Sequence, residues 1–311
     1  MVPQPYPKSV LEFEHWFRTE DACRQHLFRL RWPHGFQCPR CPSGQAWQTQ
    51  RGLWHCGGCG KDVSVTAGTI FENSKLSLRL WFRAIWWVTN QKSGVSALGL
   101  QRTLGLGSYK TAWGLVHKLR RAMIRPGREQ LSGTVEVDET WVGGRRRKKW
   151  GHSEKAVVVI AVEVRGKGMG RIRLQLVPRP SRQCLQTFVR TNVAPGSAII
   201  TDGSWGYDGL ASHQYDHQYS VLDHEPKEAA IRVLPRVHRI AALLKRWFLG
   251  THQGRTSRRQ MDHYLDEFAF RFNRRKSASR GMLFHRLLEG AVAIKPTRYK
   301  DIVKAPRSRI T

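Results

Sequence analysis

The tightest constraint in this sequence is a pair of cysteine knuckles. Cys38-Pro39-Arg40-Cys41 and Cys56-Gly57-Gly58-Cys59 are separated by 14 residues, close to the spacing of four-cysteine zinc sites. Each C-x-x-C turn aims two thiolates at one ion, proline and glycine supply the backbone geometry, and Zn²⁺ completes a closed tetrahedron. Cys38, Cys41, Cys56 and Cys59 are therefore expected to hold one structural Zn²⁺ in a ribbon-like segment. His34 and His55 stand close enough to compete, but four thiolates already saturate a tetrahedral ion. Cys23 and Cys184 are isolated, and the overall distribution favours metal binding in a reducing compartment over disulfides.

Lys and Arg number 53 against 23 Asp and Glu, a formal charge of +30 that calls for an anionic partner. Nucleic acid is that partner. A ribosomal or histone-like protein needs only the charge, whereas 12 Trp and 12 Phe supply the large apolar bodies of real cores. No run approaches the roughly 20 apolar residues of a membrane span, and the start, Met-Val-Pro-Gln-Pro-Tyr-Pro, has no hydrophobic signal core. The expectation is an intracellular protein, cytoplasmic and nucleoid-associated, with no membrane partner.

A length of 311 residues allows roughly two domains, with small metal-stapled modules in addition. Residues 1–70 read as two short helices followed by the ribbon, with a strand at Val63-Ser64-Val65-Thr66. Leu76 to Asn90 is an aromatic-rich buried helix, and residues 71–130 as a whole form a helical region. Beyond Arg125-Pro126-Gly127 the period changes to that of strands, at Val135 to Val137, Val157 to Val164, Ile172 to Val177 and Ala198 to Thr201. Helical patterns return at about 181–193, 227–248, 258–273 and 281–292, so residues 131–292 read as an α/β domain, with a basic tail over 293–311.

Val95 to Leu104 and Tyr109 to about Met123 form two helices broken at Gly105 and Gly107, with Ser108 capping the second. Ala112, Leu115, Val116 and Leu119 would pack inward while Lys110, Lys118, Arg120 and Arg121 face phosphates, an arrangement suited to the recognition helix of a helix-turn-helix.

Asp138 lies on the apolar strand Val135-Glu136-Val137-Asp138-Glu139-Thr140-Trp141-Val142, flanked by two further carboxylates, and Asp202 ends the strand Ala198-Ile199-Ile200-Thr201. Hard oxygen ligands at adjacent strand ends are what two Mg²⁺ ions need to activate a nucleophile and stabilise the leaving oxygen at a phosphodiester.

These segments together resemble the DDE transposases of zinc-ribbon insertion sequences. The resemblance spans nearly the whole chain: the ribbon, Val137-Asp138-Glu139-Thr140-Trp141-Val142-Gly143-Gly144, Thr201-Asp202-Gly203-Ser204-Trp205-Gly206-Tyr207, Leu234-Pro235-Arg236-Val237-His238, Leu244-Lys245-Arg246-Trp247-Phe248-Leu249-Gly250-Thr251-His252-Gln253-Gly254, and Tyr264 to Arg275. It implies an α/β, RNase H-like catalytic domain preceded by the zinc ribbon and helix-turn-helix. It further implies Mg²⁺ or Mn²⁺ dependence, action on the double-stranded DNA of transposon ends and target as a homo-oligomer, and Asp138 and Asp202 as the first two metal ligands.

In such relatives an Asn or Glu usually follows the Val-His pair by five residues, a position occupied here by Leu243, which cannot bind a metal. No Asp or Glu occurs between Glu228 and Asp262, so the third ligand is His238, Glu225, Glu228 or nothing. His238 and Lys245 fall two turns apart on one helix face, above a stripe of Val237, Ile240, Ala241, Leu244 and Phe248. His238 is expected as third ligand or proton relay and Lys245 as a phosphate contact. The basic run Arg145-Arg146-Arg147-Lys148-Lys149 adjoins the first Asp and is expected to grip DNA, while Trp205 and Tyr207 are expected as packing residues. The expected function is binding of terminal inverted repeats, strand cleavage and joining of the 3′ ends to target DNA. The alternative is a non-catalytic zinc-ribbon and helix-turn-helix regulator, or a transposase relic.

Overall fold

Ser9 and Thr19 accept backbone N–H bonds from Glu12 and Ala22 and so start two short helices, α1 (Val10–Trp16) and α2 (Glu20–Arg31), in the computed structural model. The structure describes residues 5–124, 127–143, 155–219, 233–254 and 256–304. They fall into two units, Met1–Arg125 with Lys276–Ile302 and Pro126–Arg275 with Val303–Thr311.

In the first unit three short antiparallel strands, β1 (Ala46–Gln48), β2 (Trp54–Cys56) and β3 (Asp62–Val63), form the ribbon. The last strand is shorter than the expected Val63–Thr66, because Ser64 and Thr66 turn to bond each other through their hydroxyls. Ser77 caps α3 (Leu78–Asn90), whose Trp81, Phe82 and Ile85 are fully buried. Next come α4 (Ala97–Leu104) and α5 (Tyr109–Ala122). Gly105, at φ +62°, ends α4 in the left-handed region that glycine adopts without a Cβ penalty, and Leu106 N–H bonds back to Gln101 O at 2.9 Å.

Among the described residues the second unit is built on five strands: β4 (Thr134–Val142), β5 (Ala156–Arg165), β6 (Gly168–Val177), β7 (Ala198–Thr201) and β8 (Asp216–Tyr219), with α6 (Arg182–Asn192) leading into β7. Their order is β6-β5-β4-β7-β8; β5 runs antiparallel to β4 and β6, while β7 is parallel to β4 and β8. The edge strand β8, Asp-His-Gln-Tyr, is polar and largely exposed and so lacks the apolar signature by which the other strands read in the sequence.

Helices α7 (Pro235–His252) and α8 (Met261–Asn273) cover one face of this sheet. Val237, Ile240, Ala241, Leu244 and Phe248 of α7 are buried against Val158, Ile160 and Val162 of β5 and Leu265 and Phe268 of α8. On the other face Val135 and Val137 of β4 pack with Leu185, Phe188 and Val189 of α6. Alternation along β4 therefore turns Val135 and Val137 toward α6 and Glu136 and Asp138 toward α7, opposite Val162 and Ile160 in the register.

The chain then adds α9 (Arg280–Ala293) and α10 (Tyr299–Val303). The sequence pattern places the helix at 281–292 at the end of the α/β domain, whereas α9 is grouped with the first unit. The reason is aromatic packing: the Phe284 ring lies 5.4 Å from Phe13, 5.6 Å from Phe17 and Trp86, and 5.8 Å from Phe82. Helical periodicity shows that a face is buried but not which partner buries it.

Candidate functional site

In the ribbon the four cysteine sulfurs all lie within 4.8 Å of one another. Cys38 and Cys59 are 3.7 Å apart and Cys41 and Cys56 3.6 Å, close to the roughly 3.8 Å that Zn–S bonds of about 2.3 Å impose on a tetrahedron. Gly58 makes this approach possible, since a Cβ there would sit 2.7 Å from Ser43 Cβ and 3.4 Å from Cys41 Sγ. Although desolvation pushes the Cys56 thiol up, the backbone N–H groups of Cys59 and Gly58 and the neighbouring thiols bring it down to about 6. His55 is occupied elsewhere, its Nδ1 2.8 Å from Asp62 Oδ1 and its ring against Trp47. The donor set fits Zn²⁺ and no other ligand is needed.

The second site lies at the ends of β4 and β7. Their parallel ladder pairs Thr134 with Ala198, Val135 with Ile199 and Glu136 with Ile200; continued by two residues, it sets Asp138 across from Asp202. Adjacent strands are about 4.8 Å apart, so two carboxylates meet at the sheet end on the α7 side. Burial raises the Asp138 carboxyl to about 8, reinforced by the charges of Glu139 and Asp202 and opposed by the Glu139 N–H and Lys245. Burial and Asp202 also raise Glu139, against a hydrogen bond from Tyr207 Oη to its Oε2 at 2.9 Å. Asp202 accepts the Ser204 N–H at 3.0 Å, which fixes the turn after β7. Clustered, partly desolvated carboxylates of this kind are what a divalent cation neutralises.

His238 is on the same side, its Nδ1 3.9 Å from Asp138 Oδ2. Lys245 is exposed two turns further along α7, near enough for its charge to be felt at Asp138. Leu243 is partly buried and packs against the apolar core. Asp138, Asp202 and His238 do not close to the mutual 4.8 Å of the cysteines; among the described residues only the cysteines do so. Glu225, Glu228, Arg145, Arg146 and Arg147 lie outside the described residues.

Glu136, which the sequence offers only as a carboxylate flanking Asp138, and Tyr207, expected as packing, both shape this site. Glu136 is 1% exposed and takes the first turn of α7 in its carboxylate: Oε2 accepts the N–H groups of Arg236 at 2.8 Å and Val237 at 2.9 Å, and Oε1 pairs with Arg236 Nη1 at 2.8 Å. Arg236 also donates to Gly168 O at 3.0 Å. The strand position two before Asp138 thus anchors the helix that carries His238. Tyr207 is fully buried and reaches Glu139, whereas Trp205 is 63% exposed, so of the two aromatics expected as packing only Tyr207 packs. For Glu136 the available signal is a carboxylate at the same strand parity as Asp138.

In the helical pair α4 and α5, Ala112, Leu115, Val116 and Leu119 are buried. Lys110 is exposed and Lys118 half-buried, with Nζ 5.8 Å from the Trp81 ring centroid. Arg120, expected to face phosphates, is instead 2% exposed, with Nη2 3.4 Å from Val95 O and Nη1 3.4 Å from His117 Nε2. It follows Ala112 and Val116 at four-residue spacing along the buried face of α5, so helical geometry draws it inward. Among the described residues no helix is long and apolar enough to cross a membrane.

Residues 18–62 match a transposase zinc-ribbon domain and residues 130–273 an ISXO2-like transposase domain. The chain is 26% identical over 283 residues, covering 82% of itself and 91% of the relative, to an uncharacterized protein in transposable element ISH50 of Halobacterium salinarum. The ribbon match contains all four zinc-site cysteines, the second contains Asp138, Asp202 and His238, and together they cover more than half of the sequence. The chain carries a transposase zinc-ribbon domain followed by an ISXO2-like transposase domain.

Proposed function

We propose that this transposase binds the terminal inverted repeats of its element, cleaves DNA strands there and joins the 3′ ends to target DNA at the Asp138–Asp202 site. The observation that carries the reading is the β4–β7 register, which brings the two aspartates side by side on the face covered by α7. The strand order, with one antiparallel strand second from the edge, supports an RNase H-like catalytic fold. The α4–α5 pair supports a helix-turn-helix that presents Lys110 to DNA phosphates.

Asp138 and Asp202 fit a divalent ion by donor chemistry, since they are paired carboxylates whose mutual repulsion the Glu139 N–H and Lys245 offset only in part. Mg²⁺ or Mn²⁺ bound there would supply the positive charge that phosphodiester cleavage and strand transfer require. The protein's own groups orient the site. Glu136 fixes α7, Tyr207 holds Glu139, and the Ser204 N–H holds Asp202. His238, near Asp138, orients that carboxylate or relays a proton, and Lys245 places a cation where the scissile phosphate must approach. Arg145, Arg146 and Arg147, directly beyond Gly144, extend the phosphate-binding surface.

Incubating the purified protein with labelled transposon-end DNA, target DNA and Mg²⁺ tests the reading. Cleaved ends and strand-transfer products are expected, and both should vanish in Asp138→Asn and Asp202→Asn. Specific end binding without cleavage by the wild-type protein would instead identify a DNA-binding regulator, and cleavage without joining a nuclease.

A further inference from the structure

We propose that a cleft beside α5 in the first unit binds a short single-stranded DNA segment, its phosphates on Lys75 and Lys118 and a base on the Tyr299 ring. The proposal rests on the reading of the chain as a protein that handles DNA strands, and it names a surface separate from the Asp138–Asp202 site.

The cleft has a volume of about 900 Å³ and lies between the turn at residues 72–76, the edge of α5 that carries Lys110, Gly114 and Lys118, and the segment 296–301. Those three α5 positions recur every four residues and so form one continuous edge. Among the described residues no ion pair joins Lys75, Lys110 or Lys118 to a carboxylate. The acidic side chains on the wall are engaged already: Glu72 Oε2 accepts the Gly68 N–H, and Asp301 Oδ2 accepts from Arg298 Nε at 3.1 Å. The lining as a whole stays cationic, with Lys75, Lys110, Lys118 and Arg298 against Glu72 and Asp301. Lys118 is half-buried, and desolvation lowers its ammonium from the ordinary lysine value, so an anion entering the cleft restores what burial removes.

The aromatic element is Tyr299. Its ring lies over Gly114, where a Cβ would come 3.2 Å from Tyr299 Cδ2, and is set edge-on to Trp113 at 5.6 Å. Tyr299 remains 44% exposed, which leaves ring surface for a base. Cations beside an aromatic ring are the combination that single-strand binders use. Size decides between strand and duplex: pockets of roughly 300–1,000 Å³ enclose drug-sized ligands, which admits one or two nucleotides and excludes a double helix.

Fluorescence anisotropy on the full-length protein, with labelled hexathymidylate and a blunt duplex as probes, tests the cleft. Lys118→Met and Tyr299→Ala should each weaken hexathymidylate binding about tenfold while changing duplex binding less than twofold. Lys118→Arg and Tyr299→Phe should restore it, and these two variants carry the test if either disruptive one fails to fold. An abasic oligomer should bind wild type as weakly as Tyr299→Ala binds hexathymidylate. Equal losses on both probes, unchanged hexathymidylate affinity in the variants, or displacement of hexathymidylate by thymidine monophosphate at the same concentration would each overturn the proposal. A wild-type protein that binds duplex but no single strand refutes the cleft alone, whereas one that binds neither removes the DNA-handling reading beneath it.

Discussion

Asp138 and His238 have separable roles at the residue scale. Asp138→Asn keeps the shape of the side chain and removes its charge, so cleavage should fall at least about a hundredfold with zinc content and end binding intact, as scored by product gels, metal analysis and gel shift. His238→Ala should abolish strand transfer with the same two controls unchanged; full activity in that variant would return His238 to a surface role. A third residue connects charge to stability. His26 is buried among Phe17, Phe82 and His285, its Nε2 makes no hydrogen bond among the described residues, and burial, then His285 and Arg29, hold it at about 4. Unfolding returns it to its ordinary value of 6.5, so the unfolded chain binds the extra proton. Stability is then full above about pH 6.5 and is lost as pH falls toward 4, by about 3 kcal/mol in total. Urea unfolding followed by tryptophan fluorescence at pH 7 and pH 4.5 should show that loss, and His26→Phe should shrink it.

Among the elements, α7 depends on one carboxylate. Removing Glu136 as Glu136→Ala would leave two helix N–H groups without a partner and Arg236 without its carboxylate, in a site where Glu136 is 1% exposed. The expected cost is about 3–5 kcal/mol, read as a lower urea midpoint. Glu136→Gln keeps an acceptor but not the charge; it should fold, bind ends normally and cleave more slowly, because α7 and His238 are less firmly placed. Normal cleavage by a Glu136→Gln protein would reduce Glu136 to a purely structural cap. Much of this was readable in the sequence. The stripe Val237, Ile240, Ala241, Leu244 and Phe248 identifies the buried face of α7, and β7 is read at its observed bounds, because long apolar patterns report burial directly. Glu136 and Arg120 are different: each is charged yet 2% exposed or less, and their reasons lie in partners 100 and 25 residues away. Strand register is of the same kind. The motifs supply Asp138 and Asp202, but only the pairing of Thr134 with Ala198 brings them together.

On the scale of the whole molecule, a surplus of 30 positive charges makes DNA binding largely a matter of counterion release. Each phosphate neutralised by Lys or Arg frees a condensed cation, so the logarithm of the affinity falls linearly with the logarithm of salt concentration, with a slope near −0.9 per contact. If roughly 6–10 phosphates are engaged, affinity should drop about 10³- to 10⁵-fold between about 50 and 200 mM salt. The slope also separates binding from chemistry. Asp138→Asn should keep it, since an aspartate makes no phosphate contact, while Lys110→Ala should reduce it by about one and weaken specific and non-specific DNA alike. Replacing Arg145, Arg146 and Arg147 together with alanine should reduce it by about three. Anisotropy titrations at several salt concentrations measure each slope. An unchanged slope in the triple variant would mean that this basic run makes no phosphate contact, and the contacts would then have to come from residues such as Lys110 and Lys245.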